Sequence, residues 1–124
     1  MNVVDSSGWL EYFSDAPNAV FFAPAIEDAD HLIVPVVSVY EVFKRILVAQ
    51  GLGLAELRIA DLYKGQQVDL TTSLALSAAQ LSVEYSLPMA DSLILATARA
   101  YDATLWTQDE HFKDIPGVKF VSKK

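Results

Sequence analysis

The 124-residue sequence predicts an α/β fold, with a mostly parallel sheet between two helical layers. Two observations predict it. Short β-branched apolar runs alternate with longer stretches of helical periodicity along the whole chain. The run at 32–37 carries no polar side chain, which fits a parallel strand covered on both faces rather than one with a wet face.

Each element has a local reason. Residues 2–5 are a short strand that ends in the carboxylate of Asp5. Ser6, Ser7 and Gly8 open a helix carrying Trp9, Leu10, Tyr12 and Phe13. Pro17 suits the start of a second helix that runs to about Ala29, with Pro24 kinking or splitting it. Residues 32–37 form the second strand, and Ser38 is a natural N-cap for a helix to about Gln50. Val39, Val42, Phe43, Ile46 and Leu47 recur there at helical spacing. Gly51 and Gly53 break that helix. Residues 54–64 make the next, with Leu54, Leu57, Ala60 and Leu62 or Tyr63 facing inward and Gly65 ending it.

Residues 67–70 are a third strand, short and near an edge. Thr71, Thr72 and Ser73 cap a helix to about Tyr85, and Pro88 sits in the first turn of the helix ending near Tyr101. Residues 103–106 are the fourth strand. His111 and Phe112 close a short helical turn, Pro116-Gly117 makes a turn, and 118–121 is the last strand before the tail of Lys123 and Lys124. With no repeat, low-complexity tract or linker, 1–124 reads as one domain.

Composition narrows the function classes. Hydrophobic residues are 52% of the chain and charged residues 20%, which is a globule with a core rather than a disordered segment. The absence of cysteine removes disulfides, thiolate metal sites and cysteine nucleophiles. Asp5 interrupts the N-terminus before any apolar region forms, and no apolar run approaches the ~20 residues of a membrane helix, so the expected location is the cytoplasm and no membrane is expected as a partner. The net charge of −7 gives no general field for nucleic acid, so such a substrate would need a bound cation or a few placed Lys and Arg residues.

The candidate chemistry lies in carboxylates. Asp5 follows the first strand, Glu41 sits in the helix after the second, and Asp109 follows the fourth. Parallel strands bring all three to one edge of the sheet, where α/β folds bind ligands. Asp91 begins the helix leading into the fourth strand and shares a stripe with Ile94, Leu95 and Ala98. A charge on an inward stripe is costly unless paired or metal-bound. Converging acids also raise one another's pKa, so their convergence implies a cation, or a cationic group lent by a partner. Oxygen ligands without sulfur suit Mg²⁺ or Mn²⁺.

Each acid also has a purely structural explanation. Asp5 would N-cap its helix; Glu41 would complete a capping box with Ser38 or pair with Arg45. Asp109 would sit in a first helical turn, where Thr107 and Glu110 form a second capping box. Ser6 and Thr107 cap helices by default, or orient a carboxylate or metal-bound water. Lys44 and Arg45 form a solvated helix face, or touch phosphate. Trp9, Tyr12, Phe13, Phe21, Phe22 and Tyr40 read as core. The isolated His31 and His111 indicate no zinc site, and His111 reads as surface or packing.

Four stretches together resemble the PIN domain, specifically VapC-type ribonuclease toxins of toxin–antitoxin pairs. They are Val3-Val4-Asp5-Ser6-Ser7; Val36-Val37-Ser38-Val39-Tyr40-Glu41; the 87–98 stretch, an L-x-x-x-D-x-x-I-x-A-x-A helix; and Thr107-Gln108-Asp109-Glu110-His111-Phe112, a T-x-D-x-x-F turn. The resemblance spans essentially the whole chain. It implies a three-layer α/β/α sandwich with a parallel five-stranded sheet ordered 3-2-1-4-5. It implies that Asp5, Glu41, Asp91 and Asp109 bind Mg²⁺ or Mn²⁺ and activate water for RNA phosphodiester cleavage. Asp5 and Asp91 would be the principal ligands, with Asp109 and Glu41 completing the site directly or through water, and Ser6 and Thr107 supporting it. A homodimer and a cognate antitoxin blocking the site are further implied. The chain departs from this picture in having few basic residues near the expected site, which leaves the grip on phosphate thin.

Two other functions compete. A catalytically silent PIN-like module binding RNA or protein is disfavoured by four intact acids. A phosphoacceptor receiver domain would need an acidic pair after the first strand and an acceptor after the third, whereas one acid follows the first and Asp69 falls inside the third.

Overall fold

The computed structural model describes residues 1–124. In chain order the elements are β1 (Asn2–Val4), α1 (Ser6–Phe13), α2 (Ala19–Ile26), β2 (Leu32–Pro35), α3 (Val36–Gln50), α4 (Leu52–Leu62), β3 (Gln66–Val68), α5 (Thr72–Tyr85), α6 (Met89–Ala100), β4 (Thr104–Thr107) and β5 (Val118–Phe120). Single 3₁₀ turns lie at Ala29–His31 and Glu110–Phe112. The strands form one five-stranded sheet, all parallel, in the order β3-β2-β1-β4-β5. Val3 pairs with Ile33 on one side and Leu105 on the other. The strand order therefore reverses between β1 and β4, and the ends of both open at the same edge.

Alternation along the strands splits the core in two. Val3, Ile33 and Leu105 face α5 and α6, packing with Leu74, Leu81, Ile94, Leu95 and Phe112. Val4, Leu32 and Val34 face the other way, onto Trp9, Phe22, Val42, Ile46 and Ile59 from α1–α4. This is the expected α/β/α sandwich. Trp9, Phe22 and Phe112 are wholly buried, and each such side chain contributes roughly 1.5–3 kcal/mol. At Gly8 α1 packs tightly: a Cβ there would stand 2.6 Å from the Phe22 ring and 2.8 Å from a Val4 methyl.

Several local expectations need correction. The strand at 32–37 stops at Pro35, because proline has no N–H to continue the ladder, and α3 starts at once with Val36. Ser38 is therefore inside α3 rather than at its N-cap, fully buried and without a hydrogen-bond partner. The Ser38–Glu41 capping box does not exist. Helix α2 starts at Ala19, leaving Pro17 in the preceding turn, and contains Pro24 without splitting. Gly51, at φ +90°, ends α3, but Gly53 lies within α4.

The buried stripe of α4 is Ala55, Ile59 and Leu62, while Leu57 and Tyr63 are exposed. Two stripes of that helix are comparably apolar, and contact with α3 selects the second. Tyr40 is 63% exposed and Leu47 also faces solvent, so neither is core. Asp69 follows β3 at the outer edge of the sheet, two strands away from β1. No helix is long and apolar enough to cross a membrane.

Candidate functional site

The sheet edge where β1 and β4 end carries an open cleft of about 600 Å³. Asp5, Ser6, Glu41, Asp91 and Asp109 all line it.

Asp5 leaves β1 and N-caps α1. Its Oδ1 accepts from the Ser6 backbone N–H at 2.8 Å, and its Oδ2 accepts from the Ser7 and Thr107 hydroxyls, both at 2.9 Å. Its own N–H donates to the Trp106 carbonyl oxygen at 3.0 Å, tying the end of β1 to β4. The residue is only 3% exposed. Burial pushes its pKa up to about 6; the Ser7 and Thr107 hydrogen bonds work against this, and the charges of Asp91 and Asp109 reinforce it.

Glu41 lies in the second turn of α3, and its Oε1 accepts from the Ser6 hydroxyl at 2.6 Å. The Ser6 side chain is thus committed to Glu41 while its backbone holds Asp5. Asp91 stands in the first turn of α6, partly buried, where the helix dipole favours a negative charge. Burial raises its pKa first, and the Asp109 charge adds to this. Asp109 N-caps the Glu110–Phe112 turn, its Oδ1 accepting from the His111 backbone N–H at 2.9 Å. Thr107, fully buried, joins the two strand-end acids: its Oγ1 donates to Asp5 and accepts from the Asp109 N–H at 2.9 Å. The capping box expected between Thr107 and Glu110 is replaced by this bridge, because Asp109 is itself the cap.

Cations line the same cleft. Lys44 and Arg45 from α3 and Lys123 from the tail line the cleft together with Tyr40. Three of the nine Lys and Arg residues therefore gather at one cleft of an acidic chain, more than the sequence alone suggested. Sequence reasoning placed Tyr40 in the core and Lys123 in a tail, and no local signal would have brought the tail to the cleft.

Two further features were missed. Gln108 is buried between Thr107 and Asp109; its amide donates to Glu11 at 3.1 Å and accepts from Asn18 at 2.9 Å, while Asn18 also donates to the Ser122 carbonyl oxygen at 3.0 Å. That network anchors the loop bearing Asp109 and the segment leading to Lys123. His111, expected at the surface or in packing, has Nδ1 2.9 Å from Asp91 Oδ2 and 3.2 Å from Asp109 Oδ1. Its pKa is raised, first by the Asp91 hydrogen bond and then by the Asp109 charge. Its spacing of two from Asp109 in a tight turn was the available signal.

Chemically, the arrangement offers oxygen donors with cations in the same cleft, which suits a hard divalent ion beside a phosphate. A model of the PIN domain matches residues 3–118. No curated protein matches the chain. Among solved structures, it is similar to a toxin–antitoxin complex from Klebsiella pneumoniae, at 23% identity and TM-score 0.80, covering 96% of each chain. It is also similar to VapBC2 from Rickettsia felis bound to a DNA fragment from their promoter (15% identity, TM-score 0.74, 98% of this chain and 97% of that one). DNA-bound VapBC from Salmonella typhimurium is similar at 12% identity, TM-score 0.74 and 98% of each chain.

Proposed function

This chain belongs to the PIN domain family, and we propose that it is a VapC-type toxin: a divalent-metal-dependent endoribonuclease held in check by a cognate antitoxin. The observation that carries the reading is that carboxylates from four separate stretches, Asp5, Glu41, Asp91 and Asp109, border one cleft, with Asp5 almost wholly buried. Its likeness to solved toxin–antitoxin structures supports the antitoxin. We further propose that the unit is a single domain acting in the cytoplasm as a homodimer.

The donor set fits Mg²⁺ or Mn²⁺. The Asp91 and Asp109 charges raise the proton affinity of Asp5, the Asp109 charge raises that of Asp91, and a cation among the three would favour the charged forms of Asp5 and Asp91 instead. These three would hold the ion, with Glu41 completing the site directly or through water. The bound ion supplies a more acidic water for attack and neutralises charge at the phosphate. The chain's own contribution is placement. Thr107 and Ser7 fix the Asp5 carboxylate, and Ser6 aims Glu41. Lys44 and Arg45 would receive the phosphates flanking the cut, supplying locally the attraction that a net charge of −7 denies.

The test is Asp91→Asn, assayed for RNA cleavage and growth inhibition with folding and oligomeric state checked in parallel. Loss of both activities in a folded protein is the expected result. Undiminished activity would reject the site, and a wild-type protein that neither cuts RNA nor binds Mn²⁺ would favour a silent RNA- or protein-binding module.

A further inference from the structure

We infer that His111 is a nitrogen ligand of the metal bound in this cleft, making the site a mixed carboxylate–imidazole centre that favours first-row transition ions over Mg²⁺. The inference rests on the metal-dependent reading above and adds a donor to it. Asp91, Asp109 and His111 each present one ligand atom, and the three atoms lie within 4.8 Å of one another. His111 Nδ1 faces the gap between the two carboxylates, at 2.9 Å from Asp91 Oδ2 and 3.2 Å from Asp109 Oδ1. A cation shared by those two acids therefore comes within reach of that nitrogen.

The ring is also held there. The His111 backbone N–H donates to Asp109 Oδ1, and the next residue, Phe112, is fully buried, so the turn cannot swing away without exposing a core aromatic. The side chain is 55% exposed, so a hydrated ion can reach it from solvent. Carboxylate and water suffice for Mg²⁺, whereas imidazole donors suit transition ions, whose affinity for nitrogen rises from Mn²⁺ towards Cu²⁺. One imidazole therefore changes which metal the site selects.

Pulsed electron paramagnetic resonance on the Mn²⁺-loaded protein tests this directly. Wild type should show ¹⁴N modulation of a directly bound imidazole nitrogen, and His111→Ala should lose it. In calorimetric titrations His111→Ala should weaken Co²⁺ and Mn²⁺ by about tenfold, and Mg²⁺ by about twofold or less. His111→Gln, which keeps an oxygen donor and much of the side-chain size, should show the same loss of ¹⁴N signal; melting curves of both variants guard against misfolding. Absence of ¹⁴N modulation in wild type, or its persistence in both variants, overturns the inference. If Mn²⁺ binds in an Asp91-dependent way without ¹⁴N coupling, His111 is no ligand but the carboxylate site stands. If wild type binds no Mn²⁺, both readings fall.

Discussion

Thr107 Oγ1 donates to Asp5 Oδ2 over 2.9 Å and itself accepts from the backbone N–H of Asp109, also over 2.9 Å. One fully buried side chain at the end of β4 thereby sets both strand-end acids. Thr107→Val keeps the shape and removes both bonds, leaving the part-buried Asp109 N–H without its acceptor and the buried Asp5 Oδ2 with Ser7 alone. The expected cost is on the order of 1–3 kcal/mol of stability, with weaker Mn²⁺ binding. Thr107→Ser should recover most of both. Chemical denaturation and metal titration of the two variants check this.

The metal-free protein should lose stability as pH rises from about 4 to about 6, because the native Asp5 pKa of about 6 exceeds its ordinary value of 3.8. Between those values the folded chain binds more protons than the unfolded one, so each step upward favours unfolding. Asp91 is raised too, by burial, and acts in the same direction; His111, raised from 6.5 by its bond to Asp91, loses its contribution only above that window. Relative to Asp5→Asn, wild type in chelator should lose on the order of 1–3 kcal/mol across that window. Saturating Mn²⁺ should remove the trend, since binding strengthens as the acids ionise. Denaturation midpoints at several pH values, with and without metal, decide it.

Gly8→Ala should destabilise the fold by about 1–3 kcal/mol, the usual cost of overpacking. The added methyl meets Phe22 and Val4 within 3 Å, and both are wholly buried. Because α1 carries its cap Asp5 with it, cleavage should fall as well. Phe22→Leu in the same chain should restore part of the stability; a neutral Gly8→Ala would show that α1 shifts freely.

Lys44→Ala or Arg45→Ala should weaken RNA binding without preference for sequence. Each should reduce the slope of log affinity against log salt by about one unit if it contacts a phosphate. An unchanged slope would return both residues to an ordinary solvated helix face.

Local sequence was enough for the layered α/β architecture, because strand and helix periodicities are short-range properties. The runs at 2–5 and 32–37, and the helical stripe of Ile94, Leu95 and Ala98, declared themselves that way. Asp5 and Asp109 could be assigned to one edge from the same information, since parallel strands share an end; Glu41 needed only its position in the helix after β2. Helix phase and partner choice were another matter. Whether Ser38 caps or is buried, and which stripe of α4 turns inward, depends on what each helix meets across the molecule.

The contacts that finish the cleft join residues far apart in the chain: Ser6 with Glu41, Thr107 with Asp5, His111 with Asp91. Periodicity carries no information about such pairs, because a hydrogen bond is decided within a few tenths of an ångström while a sequence pattern specifies only a face. The identity of the acids was therefore written along the chain. Which hydroxyls hold Asp5 and Glu41, that Lys123 joins Lys44 and Arg45 in the cleft, and where the imidazole sits came only from packing two helical layers onto one sheet.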